Sequence, residues 1–149
     1  MRALGNGLRV YLAFFMKGAA PSGERAILAC LPGARVQSFG TAGFVDPDHI
    51  KPVEREKARE GLAAAREAVR GGEFDLVILD ELALAASWGL VSVDDVLALL
   101  ADKPEGVEMI ITGRRADARL VKAADLVTEM VKVKHPYDRG VPARQGIEY

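Results

Sequence analysis

Leu76-Val77-Ile78-Leu79 runs directly into two carboxylates, Asp80 and Glu81. Four aliphatic residues are too few for a helix and too apolar for a strand with one wet face. The run reads as a central parallel strand covered on both faces. In an open sheet of such strands, ligands bind beyond the carboxyl ends. Two acids delivered to that edge suit a divalent cation that neutralises phosphate charge. The competing reading makes Asp80 the N-cap of the next helix and Glu81 a first-turn acid favoured by the helix dipole.

The flanking sequence alternates strand and helix patterns. Residues 8–16 form a nearly continuous apolar strand candidate after a turn at Gly5-Asn6-Gly7, and Arg2-Ala3-Leu4 reads as the last turn of a helix. A Gly- and Pro-rich loop over 17–24 leads to a short helix over 24–30, closed by Pro32-Gly33. Residues 35–39 alternate as a short strand. The loop over 40–47 carries Phe44, which either plugs the core beneath it or stays free for contact. Residues 52–70 are strongly helical, with Leu62, Ala65, Ala68 and Val69 as the apolar stripe and Gly71-Gly72 as the stop. After the acids come a helix over 82–87, a break at Trp88-Gly89 and a helix that Ser92 and Asp95 start as a capping box. A strand over 107–112, a helix over about 116–123 and an edge-like strand over 126–133 follow. The tail, 134–149, is irregular, and its Tyr137, Val141, Ile147 and Tyr149 suggest that it packs on something. The sum is one α/β domain over 1–149, a three-layer, mostly parallel sheet with right-handed crossovers.

Composition excludes several function classes. A formal net charge of -1 over 149 residues gives no electrostatic case for nucleic acid. No stretch approaches the ~20 apolar residues of a membrane span, and no signal-peptide pattern follows Met1-Arg2, so a cytoplasmic protein is expected. The single Cys30 has no partner for a disulfide and reads as a small core hydrophobe. His49 and His135 lack metal-ligand spacing, and no Gly-x-Ser-x-Gly elbow is present.

If the strands are parallel, their carboxyl ends gather Lys17, Phe44, Asp80, Glu81 and Thr112-Gly113-Arg114 at one edge. The acids would hold a cation while Lys17 and Arg114 neutralise phosphate oxygens that the cation does not reach. The strand and its acids resemble the Walker B strand of P-loop nucleotide-binding proteins.

The resemblance extends along the chain. Phe74 to Leu82, Ile111-Thr112-Gly113-Arg114, Ala124 to Met130, Lys132-Val133-Lys134-His135-Pro136-Tyr137 and the tail from Gly140 to Tyr149 resemble the P-loop-type ATP:corrinoid adenosyltransferases. So do Arg2 to Gly7, Phe15 to Gly18, Gly23-Glu24 and Gly43-Phe44. This likeness implies a P-loop NTPase, or RecA-like, fold. It implies transfer of the 5′-deoxyadenosyl group of ATP to the cobalt of a reduced corrinoid, in cobalamin biosynthesis or salvage, with release of triphosphate. Glu81 and Asp80 would serve Mg²⁺, Lys17, Arg114 and Thr112 would lie near the nucleotide, and Phe44 would lie against the corrinoid. The corrinoid cobalt is itself the nucleophile, so no catalytic base is required. A homodimer and an electron-donor flavoprotein partner complete the expectation.

Two departures accompany the likeness. The family's Gly-rich phosphate loop precedes the segment matching Arg2-Ala3-Leu4-Gly5, and no Gly-x-x-x-x-Gly-Lys-Ser/Thr occurs in these residues. The expected sheet is therefore N-terminally truncated, and activity impaired for want of that nest of N–H groups. Met1 is then internal to a longer active enzyme, or the chain is a non-catalytic paralogue that binds a corrinoid or a partner. The first is favoured because residues 2–6 read as a helix end without a beginning. Second, Asp46 stands where some members carry an aromatic residue. A generic nucleotide-dependent kinase or ATPase using the same acids is a weaker third reading.

Overall fold

The computed structural model describes residues 1–18 and 22–147. Four parallel strands make one sheet in the order β2-β1-β3-β4: β1 (Val10–Phe15), β2 (Ala34–Phe39), β3 (Leu76–Asp80) and β4 (Glu108–Ile111). The chain steps from β1 to one side for β2, then crosses to the other side for β3. The gap between the carboxyl ends of β1 and β3 is therefore the point where the winding direction reverses.

Alternation decides which side of each strand is buried. Tyr11, Ala13, Phe15, Val77 and Leu79 project into the main core, and all are almost fully buried. The helix α3 (Pro52–Arg70) closes this face because Ala58, Leu62, Ala65, Ala68 and Val69 fall on one stripe. Glu54 secures its start by accepting the Lys51 N–H at 2.8 Å. Three further helices, α4 (Leu82–Ser87), α5 (Val93–Ala101) and α6 (Ala118–Ala123), add Leu82, Ala85, Val96, Leu99 and Leu120 to the same core. Ser92 caps α5 as its sequence requires: Oγ accepts the Asp95 N–H at 3.0 Å and donates to the Asp95 carboxylate.

The opposite face differs from expectation. The short helix α2 (Gly23–Ala29) packs there, against β2, where Arg25 donates to Ser38 Oγ. Leu12 and Ile78 remain half-buried and Ile110 is exposed, so β3 is sealed on one face rather than both. Its aliphatic run reflects the demand of one dry face and the tolerance of the other. Because α2 lies outside the core, it has no buried residue, and Cys30 at its C-cap is exposed rather than a core hydrophobe.

At the amino terminus, α1 (Arg2–Gly5) is one turn, as its sequence indicates. The expected strand over 126–133 does not form. Those residues join no ladder, and Leu126, Val127, Met130, Val131 and Val133 are all exposed. β-Branched composition is a preference and not a pairing: β4 pairs with β3 alone and leaves its outer edge open, yet residues 126–133 do not lie against it. The tail differs likewise: Tyr137 and Ile147 stand in solvent and do not pack, while Val141 is partly covered. The one regular element among the tail's described residues is a 3-10 turn, Pro136–Arg139, started by His135, whose Nδ1 accepts the Tyr137 N–H. Tyr149 and the middle of the 17–24 loop lie outside the described residues.

Candidate functional site

At the reversal point, parallel register sets Phe14 beside Asp80, and the chain leaves both strands abruptly. Among the described residues, three that are not glycine adopt left-handed backbone: Met16 (φ 59°), Glu81 (φ 62°) and Arg115 (φ 57°). One follows β1, one follows β3, and one lies just past β4. Such conformations are unfavourable away from glycine and cluster where a site over-determines the backbone.

These turns converge the polar side chains. Lys17 Nζ lies 3.0 Å from Asp80 Oδ2 and sits over the Phe14 ring, 4.6 Å from its centroid. Asp80 Oδ1 accepts the Thr112 hydroxyl proton at 2.8 Å, and Thr112 Oγ1 accepts the Glu81 N–H at 3.0 Å. Asp80 is thus the last residue of β3 and not a helix cap. Glu81 holds the N-cap position of α4 but makes no side-chain cap bond. Its Oε2 is buried without a hydrogen-bond partner.

An orphaned carboxylate oxygen is costly unless a cation or donor arrives. Among the described residues, no group of three or more His, Cys, Asp or Glu side chains converges into a protein-only cage. One or two carboxylates beside room for substrate phosphates is the usual donor set for Mg²⁺, which keeps several waters. The residues therefore fit the cation that the acid pair suggests.

The loops after β1 and β2 touch at this edge. A Cβ on Gly18 would lie 2.3 Å from the Thr41 carbonyl oxygen, and one on Gly40 would lie 2.6 Å from the Lys17 nitrogen. Arg25 reinforces the first loop by donating to the Gly18 carbonyl at 2.7 Å and to Ser22 Oγ. These contacts fix the backbone of Lys17, and sequence reasoning missed them. The glycines themselves were the available signal.

Of the six site residues expected, Lys17, Asp80, Glu81 and Thr112 come together. Arg114 follows β4 at the same edge, exposed and without an ion-pair partner among the described residues. Phe44 lies on the loop after β2, fully exposed, so it does not plug the core; the buried neighbour Val45 does. His49 Nδ1 pairs with Asp46 at 3.0 Å on this same loop, and that hydrogen bond leads the causes holding the Asp46 carboxyl below its usual range. A cavity of about 150 Å³ lined by Arg9, Arg35, Glu73 and Phe74 lies at the amino end of the sheet, away from these groups.

Comparison with known proteins gives a consistent result. The family model described as "ATP:corrinoid adenosyltransferase BtuR/CobO/CobP" matches residues 1–149. A corrinoid adenosyltransferase of Pseudomonas aeruginosa is 34% identical over 148 residues, covering 99% of this chain and 73% of that protein. The corrinoid adenosyltransferase of Escherichia coli (strain K12) is 33% identical over 148 residues, 99% of this chain and 74% of its own length. The Salmonella typhimurium protein named corrinoid adenosyltransferase CobA is 31% identical with the same coverage.

Proposed function

The chain belongs to the ATP:corrinoid adenosyltransferase family, and from that premise we propose that it serves transfer of the 5′-deoxyadenosyl group of ATP to a reduced corrinoid. The cobalt–carbon bond forms as the bond from C5′ to the triphosphate oxygen breaks, and triphosphate leaves. The observation that carries this reading is the convergence of Lys17, Asp80, Glu81 and Thr112 at the reversal point of the sheet.

Glu81, through its unpartnered oxygen, and Asp80 beside it would hold Mg²⁺. When bound, the cation spreads the charge that develops on the departing triphosphate. Lys17 and Arg114 neutralise phosphate oxygens, and Thr112 borders them. Phe44, with its whole ring in solvent, offers an apolar surface to the corrinoid. No side chain is asked to move a proton. The protein's task is to align cobalt with C5′ and exclude water.

These residues hold no Gly-rich phosphate loop. On their own they supply no nest of N–H groups for the triphosphate, so the 149-residue polypeptide binds MgATP weakly and transfers slowly. A paralogue that binds a corrinoid or a partner without catalysis is the second reading, and it draws on the same exposed Phe44. The working assembly is a cytoplasmic homodimer fed with reduced cobalt by a flavoprotein. The exposed Leu126, Met130 and Val133 support a partner-covered C-terminal segment.

The test titrates the chain with MgATP and a corrinoid and follows formation of the photolabile adenosylated product. Corrinoid binding with slow transfer is the expected result. Corrinoid binding with no transfer, joined to stop codons in the DNA just upstream of Met1, selects the paralogue. Binding of neither ligand, even by a version extended upstream, removes the functional reading.

A further inference from the structure

We propose that Thr112 is a positioning residue, whose hydroxyl clasps Asp80 and the left-handed Glu81 so that the Glu81 carboxylate stays aimed at the cation site. This rests on the cation-binding reading of the acid pair given above.

Thr112 is the first residue beyond β4, and its backbone is already committed. Its N–H donates to the Leu79 carbonyl and its own carbonyl accepts the Ala83 N–H, both at 3.1 Å. Its hydroxyl then meets two groups of fixed polarity. The Glu81 N–H can only donate and the Asp80 carboxylate can only accept, so the hydroxyl proton must point at Asp80. No proton remains for a ligand oxygen, and Thr112 acts through the two acids.

What it holds is unusual. Glu81 starts α4 in a left-handed conformation without a cap from its own side chain. The amides of Glu81 and Ala83, at the opening of that helix, are both met by Thr112 from the neighbouring strand. A residue keeps such backbone only while its surroundings enforce it. Asp80, held between Lys17 and Thr112, has an ion pair on one oxygen and a hydrogen bond on the other, whereas Glu81 Oε2 is buried with no partner. The clasp therefore divides the pair into a braced acid and a presented one.

A hydroxyl clasp and a mere β-branched filler make opposite predictions. Thr112→Val keeps shape and loses the hydroxyl, while Thr112→Ser keeps the hydroxyl and loses the methyl. The experiment measures Mn²⁺ binding to the 149-residue chain by water-proton relaxation, together with the Glu81 amide resonance in the metal-free protein. Thr112→Val should weaken Mn²⁺ binding about tenfold or more, as loss of a group that orients a ligand does, and move the Glu81 resonance. Thr112→Ser should stay close to wild type in both. Wild-type behaviour of Thr112→Val, or equal damage by Ser and Val, overturns the proposal. If the wild-type chain itself binds no Mn²⁺, the cation reading of the acids fails separately. The Glu81 resonance then decides for Thr112, and no movement in Thr112→Val rejects the clasp. Should the valine variant not fold, Thr112→Ala takes its place with the same two outcomes.

Discussion

Lys17 Nζ and Asp80 Oδ2 meet at 3.0 Å across the gap between β1 and β3, with both side chains still partly open to water. A pair this exposed contributes roughly 0–1 kcal/mol to stability. Its significance is local charge. Lys17→Met should leave the denaturation midpoint nearly unchanged and weaken triphosphate or MgATP binding about tenfold, the scale of one charge-assisted contact of ~1.5 kcal/mol. Calorimetric titration beside a thermal melt separates the two effects. A large loss of stability with unchanged binding would assign the pair a structural role instead.

Gly61 sits in the middle of α3, where alanine normally adds up to roughly 1 kcal/mol. Here a Cβ would lie 2.8 Å from the Phe39 ring and 2.9 Å from the Phe15 ring. Phe15 is fully buried and cannot retreat. Overpacking of this kind costs roughly 1–3 kcal/mol, so Gly61→Ala should be net destabilising by about 1 kcal/mol. Urea denaturation checks the sign. A stabilised variant would mean that Phe39, on the outermost strand, gives way easily.

Tyr11 lies in the core with its hydroxyl donating to Gln37 Oε1 at 2.6 Å. Burial, despite the opposing pull of Arg35, pushes its pKa from 10.0 to about 12. The folded state therefore keeps the phenol proton that the unfolded chain releases above pH 10. The resulting stabilisation is complete below pH 10 and disappears as pH rises toward 12. Stability should fall across that window, and Tyr11→Phe should flatten the fall while costing about 1 kcal/mol at neutral pH for the lost hydrogen bond. Phenolate absorbance followed alongside unfolding measures both.

Phe44 buries nothing within the domain, so Phe44→Ala should alter stability by less than about 0.5 kcal/mol. If the ring meets a corrinoid, the same change should lower corrinoid affinity at least severalfold. An equal affinity in the two proteins would free Phe44 of that role.

The core sheet was legible because two periodicities dominate it. β1, α3 and β3 carry apolar residues that leave no second placement, and their boundaries follow within a residue or two. The acid pair was legible as chemistry, since Asp80 and Glu81 end an aliphatic strand. Its local geometry was not. Nothing in the letters distinguishes Glu81 as a left-handed residue from Glu81 as a first-turn acid, because the choice is made by Thr112 from 31 residues away. Composition alone also misplaced residues 126–133 and Cys30. Valine and leucine report a preference for burial, and that preference decides neither whether a segment reaches the open edge of β4 nor whether a helix faces inward. The open face of β3 has the same origin, for an aliphatic run states what a strand tolerates and not how much cover lies above it.

The mutual approach of Gly18 to Thr41 and Gly40 to Lys17 makes the loops after β1 and β2 behave as one hinge leaf pressed on another. Neither loop can acquire bulk at its contact point unless the other is rerouted. Tolerated variation at this rim should thus come in matched pairs, and a library randomising both loops together would recover solutions that single-site scanning misses.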